Sequence, residues 1–212
     1  MALAGLHPDD RVLDAGCGLG RVAWPVSRLL GANGTYHGFD TSAEYIRWCQ
    51  NELGLDRDRF SFRQFDIRNS QYNPDGETEA EEFVFPWPDG AFTLVIASSL
   101  FTHLSAAAAG NYLSQIARTM DHSGRLFASF FVLDQEARNL LRTKDTFPPF
   151  RTQSPEGMLE DSANPDGAVA FDAAWLSEAI ASAGLTFDAF YPGRWRQIAA
   201  VAHQDIIIAR KK

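Results

Sequence analysis

The run Val12-Leu13-Asp14-Ala15-Gly16-Cys17-Gly18-Leu19-Gly20 joins a short apolar strand to three glycines at alternate positions. Glycine suits a turn that is tight and must let a ligand touch its backbone, because a β-carbon would obstruct both. One acid, Asp14, stands two residues before the first glycine. A second, Asp40, closes the next strand-like run, Tyr36-His37-Gly38-Phe39-Asp40. A carboxylate at a strand tip can accept hydrogen bonds from the two neighbouring hydroxyls of a ribose. Together these pieces describe an adenosine-containing cofactor lying across the carboxyl edge of an α/β sheet. Farther along, Ser99-Leu100-Phe101-Thr102-His103-Leu104 follows an apolar run directly, and His103 is a side chain that can take a proton near neutral pH.

Those groups need a sheet to hold them. The pattern predicts strands at 11–15, 34–39, 60–65, 92–97, 124–132, 185–191 and 203–210, and helices near 21–30, 42–53, 105–120 and 172–183. Such alternation argues for a mostly parallel sheet with helices on both faces. Thr41 or Ser42 caps the second helix, Asp172 precedes the last one, and Gly124 and Gly184 read as helix stops. Pro25 requires the first helix to start late or to bend. Two connections, 67–91 and 134–170, exceed normal loop lengths. Both leave the strands' carboxyl ends, so Phe83, Phe85, Trp87, Phe147 and Phe150 are expected to form lid or pocket walls, with local packing as the alternative.

The G-x-G-x-G spacing preceded by Asp14 resembles motif I of the class I S-adenosylmethionine-dependent methyltransferases. It differs from the G-x-G-x-x-G of dinucleotide-binding folds, which hold a pyrophosphate. The resemblance implies a Rossmann-like α/β fold with a seven-stranded, mostly parallel sheet whose last strand is antiparallel. It implies a cofactor shelf of Asp14, Gly16, Cys17, Gly18, Gly20, Asp40, Thr41, Asp66, Ile67 and Ser98. Asp14 would partner the cofactor's ammonium, Asp66 its exocyclic amine, and Ile67 would pack on the adenine. The family often has an acid near the start of the fourth strand, where this chain has Thr93. Ser99–Leu104, Pro192-Gly193-Arg194-Trp195 and Gln204-Asp205 resemble segments of a bacterial branch associated with small molecules or sugar units. Phe101, Tyr191, Arg194 and Trp195 are the substrate candidates, and Arg194 would suit an acidic group. Arg196 beside it reads equally well as part of a solvated basic turn. Gln204 and Asp205 read as residues that bond to neighbouring backbone.

Composition narrows the partners. The 212 residues carry a formal charge of −8, and the densest charge run, from Asp75 to Glu82, is acidic. Nucleic-acid binding needs a basic face and is disfavoured. No stretch approaches the ~18 apolar residues that span a bilayer, and no signal-peptide profile opens the chain. Two cysteines, Cys17 and Cys49, make no disulfide framework and fit a reducing cytoplasm. No His/Cys cluster has metal-binding spacing.

The expectation is a single methyltransferase domain over 1–212, with lid-like insertions at 67–91 and 134–170. Its reaction would be transfer of a methyl group to a hydroxyl of a sugar or secondary metabolite, with His103 as base or, alternatively, as a loop-ordering residue. A non-catalytic or partner-dependent cofactor-binding subunit is the rival reading, and an NAD(P)-dependent oxidoreductase a weaker one. The first strand begins about ten residues after Met1, whereas the family usually has helices there. Closure is therefore expected from the two insertions, from a second copy of the chain, or from a partner chain over the open amino-terminal side.

Overall fold

Alternation along β1 (Arg11–Ala15) and β4 (Phe92–Ala97) sends Val12, Leu94 and Ile96 into one core and Leu13, Val95 and Ala97 into another. A strand buried on both sides must be central, and these two lie side by side. The structure is a computed structural model that describes residues 3–212, the side chain of Pro165 excepted. Beyond β1 run α1 (Ala23–Ser27), β2 (Thr35–Asp40), α2 (Ala43–Glu52) and β3 (Phe60–Gln64). After β4 come α3 (Ala106–Thr119), β5 (Met120–Phe130), β6 (Val132–Leu133), α4 (Gln135–Thr143), β7 (Thr152–Ser154) and β8 (Gly157–Asp161). The chain continues through β9 (Asn164–Asp172), α5 (Ala173–Ser182), β10 (Leu185–Tyr191) and β11 (Asp205–Lys211).

The main sheet has the order β10-β11-β5-β4-β1-β2-β3, with β11 antiparallel to both its neighbours and β1 to β5 parallel. Strand order reverses between β1 and β4, and in open α/β sheets such a reversal opens a crevice at the carboxyl ends. Helices α1 and α2 bury Ala23, Val26, Ile46 and Cys49 on one face. Helices α3 and α5 bury Leu113, Ile116, Leu176 and Ile180 on the other. Ser42 and Ser105 cap α2 and α3 by accepting from Tyr45 N and Ala108 N at 3.3 and 3.1 Å.

Several local expectations are corrected. Helix α1 starts late, so Pro25 lies within its first turn, where the missing N–H costs nothing. Helix α3 ends at Thr119, and Gly124 lies inside the irregular start of β5. Asp172 makes no side-chain cap, since its carboxylate pairs with Arg138.

The connection after β3 contains no helix. It covers the sheet with aromatics instead: the Phe39 ring meets Phe65, Phe83, Phe85 and Trp87 at 5.1–6.0 Å. Phe83, Phe85 and Trp87 are therefore core residues and form no lid. Phe85 alone, 1% exposed, contributes about 1.5–3 kcal/mol of apolar burial. The stretch 134–170 is not an irregular loop either. It forms α4 and, with β6, a second sheet of order β6-β9-β8-β7. A small separate core of Phe131, Leu133, Ala137, Phe150, Ala170 and Trp195 holds it down.

Arg196, for which a solvated turn was one of two readings, is 8% exposed and knits this unit to the main sheet. Its Nε donates to Asp205 Oδ1 at 2.8 Å, and its Nη1 donates to both Asp134 oxygens at 2.8 and 2.9 Å.

Candidate active site

The glycine turn is fixed from below by Gly16 N and Cys17 N, which both donate to Phe39 O at 2.9 Å. Gly16, Gly18 and Gly20 have φ of +72°, +53° and +76°, a left-handed conformation that disfavours any side chain. Their roles differ. A β-carbon at Gly18 would meet no protein atom within 4 Å and would enter the cavity that Gly18 lines. One at Gly20 would strike Leu53 at 2.5 Å, so this glycine lets the turn pack on the end of α2.

Asp40 holds the turn to the strand tip. Its Oδ2 accepts from Gly18 N and its Oδ1 from Ser42 N, each at 2.9 Å. Each oxygen keeps a lone pair for a further donor, which is the arrangement a ribose diol needs. Burial pushes the Asp40 carboxyl up, and the bonds from Ser42, Gly18 and Thr41 oppose that rise.

Asp14 is 1% exposed. The Tyr36 hydroxyl donates to its Oδ2, while Oδ1 has no hydrogen-bond partner. Burial raises its pKa from 3.8 to about 7 against the lowering effect of the Tyr36 bond. A buried acceptor without a donor is costly, and a cationic ligand group placed there would satisfy it.

A cavity of about 420 Å³ opens at the carboxyl ends of β1 and β4. Of the residues expected there, Gly16, Gly18, Asp40, Thr41, Ile67, Ser98 and His103 line it. Asp14, Cys17 and Gly20 lie outside the lining. Asp66 also stays out: it is exposed, and its carboxylate accepts from Asn73 Nδ2 at 2.8 Å and Glu77 N at 3.3 Å. The four substrate candidates are absent from the wall too. Phe101 is fully buried and stacks on Phe130 at 4.6 Å, and Trp195 packs between Phe131 and Phe150. Arg194 is exposed and Tyr191 half-buried on β10.

The lining also holds residues that the sequence did not single out as site residues: Arg21, Tyr45, Tyr72, Ser99 and Gln204. Arg21 directly follows the turn and Tyr45 sits in the first turn of the helix after Asp40, so their positions were available signals. Tyr72 lies in an aperiodic loop and carried none. Gln204 bonds side chains rather than backbone: Oε1 accepts from Ser99 Oγ and Ser129 Oγ at 3.0 and 2.6 Å, and Nε2 donates to Thr102 Oγ1 at 3.2 Å. Ser99 has φ +59°, a strained conformation held by this network and by its own N–H to Ser129 Oγ at 2.7 Å.

His103 closes a 3₁₀ turn, Phe101–His103, and its ring meets the Tyr72 ring edge-on at 5.7 Å. Its Nδ1 lies 2.9 Å from the carbonyl oxygen of Asp166. A carbonyl can only accept, so Nδ1 carries the hydrogen, and the neutral ring keeps its lone pair on Nε2.

Sheet topology and cavity together define an α/β enzyme that takes an adenosine-bearing cofactor at the reversal of its strand order. A family model described as a methyltransferase domain matches residues 12–124, and the chain belongs to that family. Its cofactor is S-adenosylmethionine.

Solved structures share the fold at low identity. A SAM-dependent methyltransferase from Methanosarcina mazei superposes with a TM-score of 0.62 at 17% identity, covering 97% of this chain and 94% of its own. Magnesium protoporphyrin IX methyltransferase from Synechocystis PCC 6803, with bound SAH, also gives 0.62 at 17% identity, covering 100% of this chain and 78% of its own. A Haloferax volcanii methyltransferase in complex with its activator protein gives 0.62 at 14% identity, covering 99% and 85%. No helix among the described residues is long and apolar enough to cross a membrane.

Proposed function

We propose that this methyltransferase acts on a hydroxyl group of a small acceptor, a sugar unit or secondary metabolite, with His103 as the base. The observation that carries the reading is the ring of His103, which lines the cofactor cavity with Nδ1 occupied and Nε2 free. The cofactor supplies a methyl group activated by positive sulfur. The chain's own work is to hold the acceptor oxygen in line with that methyl and to take its proton on Nε2 as the new C–O bond forms and the C–S bond breaks. Gly16, Gly18, Asp40, Thr41, Ile67 and Ser98 hold the nucleoside and amino-acid portions, and Asp14, buried behind that lining, is the charge partner of the ammonium, directly or through water. The cavity volume lies near the lower end of ligand pockets, about 300–1,000 Å³. With the cofactor in place, the acceptor meets the site at its rim, beside Tyr72 and Arg21.

The test separates binding from turnover. With His103→Gln, turnover of an accepted hydroxyl compound falls about 10²–10⁴-fold, while SAH affinity by calorimetry stays within about two-fold. Turnover near that of the wild type removes His103 from the chemistry. A second reading, in which a partner chain completes the acceptor side, draws support from the neighbour bound to its activator and from Leu19, which is 45% exposed at the cavity wall. In that case the isolated chain binds SAH and methylates nothing until the partner is added.

A further inference from the structure

Two separate pieces of chain converge on His103. Asn69 Nδ2 donates to its main-chain oxygen at 3.2 Å, and the Tyr72 ring stands edge-on to the imidazole. The amino-terminal end of β9 reaches across from the second sheet and places Asp166 O against Nδ1. That strand end is itself fastened. Asp166 Oδ2 accepts from Ser70 N at 2.8 Å, and Asn164 Oδ1 accepts from Ser70 Oγ at 3.1 Å. It therefore touches the loop beside His103 through two side chains and the imidazole through one carbonyl.

Resting on the base assignment above, we infer that the tip of the β8–β9 hairpin, where β9 begins, is a positioning element that selects the Nδ1–H tautomer of His103 and aims Nε2 at the acceptor. Of the two ring nitrogens, the one that carries the proton is set by the bond the other makes. Histidine free in water prefers the proton on Nε2, and that form has no lone pair there to receive a hydroxyl proton. The Asp166 carbonyl reverses the preference, and the Ser70 anchors keep the carbonyl in reach. Asp166 and Asn164 act through His103, so both are positioning residues. A second consequence is that the acceptor-side sheet and the base are one mechanical unit. The hairpin tip need only retreat to leave the ring in its unproductive form.

The experiment needs no acceptor for its first readout. Two-bond ¹H–¹⁵N correlation spectra of histidine-labelled, SAH-loaded protein, assigned by the signal lost in His103→Gln, show neutral His103 as Nδ1–H. Wild-type His103 found in the Nε2–H form overturns the inference outright. In the Asn164→Ala/Asp166→Ala double variant the resonances move to the Nε2–H pattern, with SAH affinity within about two-fold of wild type because neither side chain lines the cavity. Retention of the Nδ1–H form in a folded double variant also overturns it.

On an accepted acceptor, the double variant loses turnover about ten-fold with little change in KM, less than the ~10²–10⁴-fold cost of losing the base. Unchanged turnover in the double variant, with His103→Gln inactive, rejects the positioning role. If the tautomer shifts as stated while His103→Gln keeps its turnover, the base assignment fails and the tautomer control by the hairpin tip stands.

Discussion

Two connections leave the same edge of the sheet, and both are long, proline-containing and aromatic, yet they end in opposite states. The one after β3 drives Phe83, Phe85 and Trp87 into the main core. The one after β5 folds into α4 and a second sheet, buries Phe150 in a core of its own, and leaves Phe147 76% exposed. The difference lies in what each connection finds beneath it. Past β3 no helix covers the face carrying Phe39, so the loop's aromatics fill that gap. Past β5 the face is already taken by α3 and α5, and the connection must make its own interior. Aromatic content in a loop thus reports uncovered apolar surface nearby, and only secondarily a lid.

The sharpest way to break this comparison is at its anchors. Phe85→Ala removes a fully buried ring and lowers stability by about 3–5 kcal/mol, read as a lower urea midpoint with unchanged slope. Arg196→Ala strands Asp205 and Asp134 and costs about 3–5 kcal/mol by the same measurement, because a buried charge loses its partner. A change below about 1 kcal/mol in either variant would mean that the packing described here does not hold the two units.

The next effect is electrostatic. Asp14 holds a proton in the folded protein up to about pH 7, whereas the unfolded chain releases it near 3.8. The folded state binds more protons between those values, so this group's contribution lowers stability as pH rises through that window, and the loss persists above it. The effect is on the order of a few kcal/mol. Asp14→Asn therefore flattens the fall in melting temperature between pH 5 and 8 in the absence of cofactor. If Asp14 is the partner of the cofactor's ammonium, SAH raises the wild-type melting temperature more at pH 8 than at pH 5. A variant with the wild-type slope refutes the assignment. The smallest effect belongs to the exposed member of the pair: Phe147→Ala changes stability by no more than about 0.5 kcal/mol, and a loss as large as that of Phe85→Ala would erase the contrast between the two connections.

The glycine side of the cavity was readable because its signals are short. Gly16, Gly18 and Asp40 reach the lining through backbone conformation and strand-tip position, both fixed within a few residues, and the strand at 92–97 matches β4 end for end. Asp66 lies outside the lining, because its carboxylate is drawn into the turn at 73–77, a partner that strand spacing does not reveal. The acceptor half was largely hidden. Phe101 and Trp195 share sequence neighbourhoods with the wall yet point into cores, since which face of a 3₁₀ turn is covered depends on β5 and β9. Gln204 and Tyr72 reach the cavity through contacts 105 and 31 positions away, to Ser99 and His103, and no local period records such encounters.

Strand β11 is the last in the chain but occupies an interior slot, between β5 and β10. While the chain is being made, the flank of β5 stays open until residues 205–211 emerge, offering unsatisfied backbone groups to any stray strand. Since Gln204 arrives only with that closing strand, a nascent chain owns the glycine side of its cavity before it owns the wall that Gln204 completes.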